Sequence, residues 1–444
     1  MAKSAREAVL TVLERCRRDQ AFSDALIGSV ISTSGLDAKD SALCTRLCYG
    51  VLQNMLLCDY YIDNYATKAQ KLEPKVRDIM RLSVYQILFM DRIPSHAAVS
   101  EGVELCKKLG FARASGLVNA VLRKIAENKD SLPAIPDKDI GSYLSVKYST
   151  PIPLVRRLTE EFGSDFTEGF LKANNEAAPL TIQVNTLKTD AESLISSLRS
   201  RGVEIKYHEI LPDCLEISGA GDITALDEYK NGLFYVQDAA ARLAVLASGA
   251  KPDITVLDAC SAPGGKSFAS ALMMQNSGKI LSCDIHENKL VRVREGAQRL
   301  GIEIISTGVM DAAKPEDAAM EAYDLVIADV PCSGLGVIRK KPDIRYKDLP
   351  EIEKLPETQL AILEGLSKCV KPGGVLLYST CTVLDAENGG AIGRFLAVHR
   401  EFTAESFDLP EPIGFVENGK LNLYPHIHHT DGFFICKLRK RNEN

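Results

Sequence analysis

From about residue 236 onward, apolar residues gather into short runs separated by stretches of helical spacing. No other feature constrains the fold as much. The runs fall at residues 255–259, 279–283, 302–306, 324–328 and 374–378, and Gly278, Gly301 and Gly373-Gly374 punctuate them. Runs of that length suit strands and are too short for helices. Strands that alternate with helices are joined by right-handed crossovers, so they lie parallel with helices on both faces of the sheet. Such a sheet takes its ligands beyond the carboxyl ends of its strands. The residues that close each run are therefore the first candidates for chemistry.

The preceding residues are of two other kinds. Residues 4 to about 128 read as helices. Ala8, Val9, Val12 and Leu13 recur at helical spacing, as do Leu43, Leu47, Val51 and Leu52, and further helical stretches cover 76–89, 98–106 and 116–125. Strand-type alternation is missing there, so an all-α bundle is expected. A linker with two prolines spans 131–139. Beyond it, 152–162 reads as a helix, 181–186 as an alternating strand, 191–201 as a helix, and 203–207 and 214–217 as short strands. The expected organisation is an all-α domain over 1–130, a small α+β module over 140–235 and an α/β domain over 236–444.

The net charge of −6 hides an uneven distribution. Residues 1–150 carry 21 Lys and Arg against 17 Asp and Glu, 151–250 carry 9 against 15, and 251–444 carry 23 against 27. Only the first third is basic on balance. Average charge thus neither supports nor excludes a nucleic-acid partner, and local patches must decide. The start, Met1-Ala-Lys-Ser-Ala-Arg-Glu7, is polar with no apolar core behind it, and no apolar run is long enough to span a bilayer. A cytoplasmic protein with no membrane partner is expected, its 12 cysteines being free thiols.

The first run leads into Cys260-Ser-Ala-Pro-Gly-Gly-Lys-Ser267. Gly264 and Gly265 let a ligand approach the backbone where side chains would block it. Gly265-Lys-Ser267 matches the end of a P-loop, but that motif needs glycine where Cys260 stands, which disfavours an NTPase. A pair of glycines alone is equally well explained by a plain strand–helix turn. The acids shift the balance. Asp258 lies at the close of the first run, Asp284 follows the second, 19 residues past Gly265, and Asp311 and Asp329 follow the third and fourth. An acid at the end of the second strand is where ribose hydroxyls are read. Each acid alone could be a helix cap; the set would line one sheet edge. No Gly-x-Gly-x-x-Gly occurs, which points away from a dinucleotide and toward a mononucleoside-like ligand, S-adenosylmethionine being the usual one.

Two cysteines complete the edge. Cys332, in Asp329-Val-Pro-Cys-Ser-Gly334, follows the fourth run, and Cys381, in Leu377-Tyr-Ser-Thr-Cys-Thr382, follows the fifth. A free cysteine is most often a buried hydrophobe. That reading is kept for Cys16, Cys58, Cys106, Cys214, Cys369 and Cys436, and Cys44 and Cys48 read as helix packing. The strand-end pair should face the ligand edge instead. Thiolates attack electron-poor carbons. C6 of a pyrimidine is one, and addition there makes C5 an enamine-like nucleophile that can take a methyl group. Which thiol attacks is open on the residues alone. Arg339-Lys-Lys-Pro-Asp-Ile-Arg-Tyr-Lys347 holds five basic residues and one acid, and its place after Cys332 favours phosphate contact. His426, His428 and His429 cluster on an expected loop without a zinc pattern, so no metal is expected.

These motifs, in this order, resemble those of the RNA cytosine-5 methyltransferases. The matching segments are 258–267, Asp284, Asp311, 329–334, Tyr378-Ser-Thr-Cys-Thr382 and Asp431-Gly-Phe-Phe434. The first domain resembles the transcription antitermination factor NusB, with Gly116-Leu-Val-Asn-Ala-Val-Leu-Arg-Lys124 typical. The two resemblances cover essentially the whole chain. Ser261 is a mild departure from a turn usually built of alanine and other small residues. The resemblance implies a Rossmann-like S-adenosylmethionine methyltransferase domain of α/β type, preceded by an all-α NusB-like bundle and a small α+β RNA-binding module.

The resemblance also implies roles. Cys381 would be the nucleophile at C6, and Cys332 would assist product release. Cys260, Ser261, Ala262, Pro263, Gly264, Gly265 and Lys266 would hold the methionine part of the cofactor. Asp284 would bind the ribose and Asp311 would lie near the adenine. Asp329, at the cofactor edge, would contact the target cytosine together with Lys266. The implied partner is small-subunit (16S) rRNA, and a monomer is expected. The same chemistry on tRNA or large-subunit rRNA is a second reading. A catalytically inactive RNA-binding assembly factor is a third, and the presence of both Cys332 and Cys381 speaks against it. A DNA cytosine methyltransferase would use the Pro-Cys thiol instead.

Overall fold

The structure, a computed structural model, describes residues 4–19, 23–67 and 71–442; the polar start at Met1 to Lys3 lies outside the described residues. The chain divides into two compact units. One comprises Met1–Ala177 and Ile338–Leu349, the other Ala178–Val337 and Pro350–Asn444.

Among its described residues the first unit is built of helices and holds no strand. Its long helices are Ala5–Asp19, Ser23–Ser34, Ala38–Gln53, Met55–Tyr65, Pro74–Phe89, Ser95–Lys108 and Ser115–Glu127, and Ile140–Lys147, Ile152–Phe162 and Ser164–Ala173 follow. The periodic residues meet in one core, where Ala8, Val9, Val12, Leu47, Val51, Ile79, Leu82, Val118 and Leu122 are buried. Asp37 caps the third helix by accepting from the Asp40 N–H at 2.7 Å, which satisfies one of its orphan donors. The closest packing is at Gly50, where a Cβ would lie 1.9 Å from the Tyr85 ring.

The basic segment after Cys332 belongs to this unit, and one of its five basic residues, Arg345, departs from the expectation of phosphate contact. Arg345 is 1% exposed. It donates to the carbonyls of Gln53 (3.1 Å) and Tyr148 (2.9 Å) and to Asn175 Oδ1 (2.9 Å). The Tyr346 hydroxyl donates to the Leu52 carbonyl at 2.9 Å. A guanidinium spent on buried carbonyls at helix ends is a structural tie and not a surface charge.

The second unit carries two principal sheets. Four antiparallel strands, β1 (Leu180–Val184), β2 (Glu204–Tyr207), β3 (Cys214–Ser218) and β4 (Phe234–Val236), run in the order β2-β3-β1-β4. The helix Ala191–Ser200 covers them with Leu194, Ile195 and Leu198. The three-residue β4 lies at the seam between two sequence textures and gave no alternation to read.

The larger sheet contains β5 (Thr255–Asp258), β6 (Lys279–Asp284), β7 (Ile305–Val309), β8 (Tyr323–Asp329) and β9 (Val370–Thr380), then β10 (Phe402–Ala404), β13 (Lys420–Leu423) and β14 (Phe433–Lys440). Between these last strands, β11 (Phe407–Asp408) and β12 (Phe415–Val416) form a separate ribbon. The order is β10-β14-β9-β8-β5-β6-β7, with β13 paired to β14. The strands β9, β8, β5, β6 and β7 are mutually parallel, as the alternation predicts. The sheet as a whole is mixed, because β14 is antiparallel to β9 over six register pairs from Phe434↔Thr380 to Arg439↔Val375.

The third parallel strand starts later than the apolar run suggests. Gly301 ends the preceding helix in the left-handed conformation (φ 73°), and the Ile302 N–H turns back to the Ala297 carbonyl at 2.9 Å. The first residues of the run are thus consumed in terminating a helix. Among the described residues no helix is long and apolar enough to cross a membrane.

Candidate active site

The parallel register brings the candidates to one edge. Asp258 ends β5, Asp284 ends β6 and Asp329 ends β8; Asp311 lies past β7, and Cys332 and Cys381 lie just past β8 and β9. Asp258 sits opposite Ser282 and Ile327, and Asp329 opposite Ser379.

The turn after β5 forms the first corner. Gly264 adopts φ 109°, and a Cβ there would come within 2.5 Å of the Phe268 ring, so glycine is required twice over. Ser267, in the helix Gly265–Met273, donates its hydroxyl to Asp258 Oδ2 at 2.6 Å and lies 2.7 Å from Ser282 Oγ. These bonds fix the start of the helix to the ends of β5 and β6. Asp258 is fully buried, and that burial pushes its carboxyl pKa up to about 7. Its Oδ1 and the Ser261 hydroxyl are buried without a hydrogen-bond partner. Both residues line a cleft of about 180 Å³, together with Gln237, Cys260, Gly265, Lys266 and Asp329. Buried polar atoms left without partners on residues that line a cleft are what a ligand with an ammonium and a sulfonium group would satisfy, so the residues fit S-adenosylmethionine. Burial pushes the Cys260 thiol up, which leaves it a wall of the cleft and not a reactive group.

Asp284 and Asp311 continue the edge outside that cleft. Asp284 is buried, accepts from the His286 N–H at 2.9 Å and lies 3.4 Å from Lys289 Nζ. Asp311 is exposed and accepts from the Ala313 N–H at 3.0 Å.

Lys266 links this corner to the next. Its ammonium is 2.6 Å from Asp329 Oδ2 and stands over the Phe433 ring at 5.1 Å. Asp329 Oδ1 accepts from the Ser379 hydroxyl at 2.7 Å. Both oxygens of Asp329 are thereby occupied, and the lysine is held with little freedom.

Past this pair lie the thiols. Cys332 Sγ and Cys381 Sγ are 3.2 Å apart, within hydrogen-bond reach. The shared hydrogen bond lowers the pKa of Cys381, the nearby Lys266 ammonium assisting against Asp329 and Asp431. The same bond, burial and the charge of Glu387 raise Cys332. One thiol of such a pair ionises and the other keeps its proton. The two cysteine turns are locked to the Asp431-Gly-Phe-Phe segment by a backbone crossing. The Gly336 N–H donates to the Cys381 carbonyl at 2.9 Å, and the Gly432 N–H donates to the Gly336 carbonyl at 2.8 Å. A Cβ on Gly336 would lie 1.8 Å from the Gly432 oxygen.

Sequence reasoning missed two contributors. Gln237 lines the cleft from beyond β4, and Glu387 carried no local signal at all. The histidines, expected on a loop, fall partly on a one-turn helix, Pro425–His428, where His428 Nδ1 accepts from the Tyr424 N–H at 3.0 Å. Among the described residues no group of three or more His, Cys, Asp or Glu could hold a metal ion.

The parallel edge, the glycine turn and the acid-lined cleft define an S-adenosylmethionine-dependent methyltransferase. Comparison with known proteins narrows the class. The family model "16S rRNA methyltransferase RsmB/F" matches residues 220–439, the NusB family matches 3–127, and an RsmF/B-like ferredoxin-like domain matches 151–224. A Bacillus subtilis protein named probable ribosomal RNA small subunit methyltransferase B is 38% identical, covering 99% of each chain. A Synechocystis protein of the same name is 34% identical over 98% of this chain and 99% of its own. The crystal structure of PH0851 superposes with a TM-score of 0.80 at 29% identity, covering 99% of this chain and 100% of that one. The chain belongs to the RsmB/F family of rRNA methyltransferases, and S-adenosylmethionine is its cofactor.

Proposed function

We propose that this chain methylates C5 of a cytosine in 16S rRNA through a covalent adduct between Cys381 and C6 of the base. The observation that carries the reading is the pair of thiols 3.2 Å apart just past β8 and β9, beside the Lys266–Asp329 pair, and the lowered pKa of Cys381 accords with its role as nucleophile. The Cys381 thiolate forms a bond to C6, and the electron pair of the C5–C6 double bond moves onto C5. S-adenosylmethionine, when bound, supplies an electrophilic methyl group, and residues 260–266 with Asp284, Asp311 and Asp329 are the proposed cradle for it. Lys266 and Asp329, held together at 2.6 Å, would orient the polar edge of the cytosine. C5 would bond to that methyl group as S-adenosylhomocysteine departs; transfer of the C5 proton to water then restores the double bond as the S–C6 bond breaks, and the thiolate returns. Cys332, beside it, is proposed to assist that release.

A paired base must leave its stack to meet these thiols. We propose 1–130 and 140–235 as RNA-binding domains, gripping mainly by shape and phosphates, and 236–444 as the catalytic domain. Labelled-methyl transfer to small-subunit rRNA, with large-subunit rRNA and tRNA in parallel, tests the substrate; 5-methylcytidine in the small-subunit RNA alone is expected. Label in tRNA would keep the chemistry and move the substrate. The Cys332→Ala variant should accumulate a protein–RNA species visible as a shifted band on a denaturing gel, and its absence would remove the release role.

A further inference from the structure

Glu387 is 1% exposed and lies six residues past the end of the Tyr378-Ser-Thr-Cys381 motif. Its carboxylate accepts four hydrogen bonds from neutral donors. Oε2 takes the Ser333 N–H at 2.8 Å and Gln359 Nε2 at 2.9 Å. Oε1 takes the Ser333 hydroxyl at 2.6 Å and the Thr382 hydroxyl at 3.1 Å. Ser333 follows Cys332 directly, and Thr382 follows Cys381 directly. The same Gln359 amide also donates to the Pro331 carbonyl at 3.0 Å, and the Tyr378 hydroxyl donates to the Glu387 carbonyl at 2.6 Å. One side chain therefore touches the neighbours of both thiols, while its own backbone is anchored to the strand that carries Cys381.

We propose that Glu387 is a positioning residue for the reaction, fastening the turn that carries Cys332 to the turn that carries Cys381 and fixing the separation of the two sulfurs. The proposal rests on the reading of those cysteines as the reacting thiols. Burying a carboxylate is costly, and neutral donors offset the cost only when all are in place. The carboxylate thus gains its hydrogen bonds only when the two turns are in register. The charge has a second consequence. At Cys332 it adds to the larger effects of the hydrogen bond to Cys381 and of burial, all of which disfavour a thiolate there and leave the negative charge of the pair to Cys381. The groups facing Cys332 are Cys381, Glu387 and the Tyr378 hydroxyl; those facing Cys381 are Cys332, Asp329, Lys266 and Asp431.

The test is Glu387→Gln in the full chain. The amide cannot accept at both ends, so donors on one side lose their partner, and the charge is removed. Four quantities are read: S-adenosylmethionine affinity, kcat and KM on small-subunit rRNA, and the pH profile of iodoacetamide alkylation at Cys332 and Cys381 by mass spectrometry without RNA. Expected are unchanged cofactor affinity, a kcat lower by about tenfold to a hundredfold at similar KM, and a Cys332 profile displaced to lower pH. Wild-type kcat, or a fall in kcat with an unmoved alkylation profile, would overturn the positioning role. If the variant does not fold, Ser333→Ala, which keeps the carboxylate and removes one donor, should lower kcat about threefold. Wild-type kcat in that variant would equally overturn the proposal. A Cys381→Ala control separates the two readings: if it methylates normally, the thiol assignment fails, whereas the alkylation shift in Glu387→Gln is read without turnover.

Discussion

Two buried carboxylates at the same sheet edge are treated in opposite ways. Asp258, at the end of β5, has one oxygen bound to Ser267 and the other without a partner, and its carboxyl is pushed up to about 7. Glu387, behind β8 and β9, has both oxygens filled by donors from three residues. The corner around Asp258 is left polar and open on a cleft. The corner around Glu387 is closed, with two glycine backbones in contact across it. A site that must accept a cationic cofactor keeps an unsatisfied acceptor for it, whereas a site that must hold two sulfurs at a fixed separation uses every acceptor on itself.

The sharpest break between the corners should come from Cys381→Ala. Methyl transfer should fall by about a thousandfold or more, with cofactor affinity unchanged, because the substitution lies in the closed corner only. Normal turnover would remove Cys381 as nucleophile, and a parallel loss of cofactor binding would mean the corners are one site. Next in size is Gly336→Ala. The added methyl would meet the Gly432 carbonyl at 1.8 Å, and neither backbone can yield without moving a cysteine turn. Urea denaturation should report a loss of about 3 kcal/mol.

The same contrast explains what could be read in advance. The open corner was legible because its parts are consecutive: strand, Asp258, glycines and Lys266 follow one another, and the parallel register carries Asp284, Asp311 and Asp329 to the same edge. The thiols were legible because each follows closely on the end of a strand. Glu387 was not, since its importance comes from Ser333 and Gln359, which are 54 and 28 residues away. The antiparallel β14 escaped for a similar reason. Phe433 to Leu438 are all buried, on both faces, so no alternation marks a strand whose partner, β9, is distant in sequence. Arg345 shows the converse error. Charge density in 339–347 suggested a surface, but charge counts do not reveal which guanidinium is needed to satisfy buried carbonyls.

Asp258 gives the comparison a pH dependence. Its folded pKa, about 7, is above the ordinary carboxylate value, so between about pH 4 and 7 the native state holds a proton that the unfolded state has lost. Stability should therefore decline as pH rises through that window, by up to a few kcal/mol from this group. Asp258→Asn, which cannot ionise, should flatten the decline. Denaturant midpoints at pH 5 and pH 7 measure it. Saturating S-adenosylmethionine should raise the pH 7 midpoint of the wild type more than that of Asp258→Asn. Equal slopes in the two proteins would mean that the carboxyl is not held neutral.

The smallest effect on stability is expected from Gly265→Ala, the counterpart of Gly336→Ala in the open corner. Its Cβ would lie 2.8 Å from Gln237 Nε2, the far end of a side chain that can swing aside. Alanine is also the better residue within a helix, which offsets part of the crowding, so stability should change by less than about 1 kcal/mol. The methyl group and the displaced Gln237 both intrude on the cleft, however, since both residues line it. Cofactor affinity should then fall about tenfold, equivalent to about 1.4 kcal/mol. Paired measurements of urea midpoint and S-adenosylmethionine affinity on the two glycine variants give the full comparison. Gly336→Ala should lose stability and keep cofactor affinity, and Gly265→Ala should do the reverse. A stability loss at Gly265 as large as that at Gly336 would show the open corner to be as tightly packed as the closed one, and the unsatisfied oxygen of Asp258 would then need another explanation.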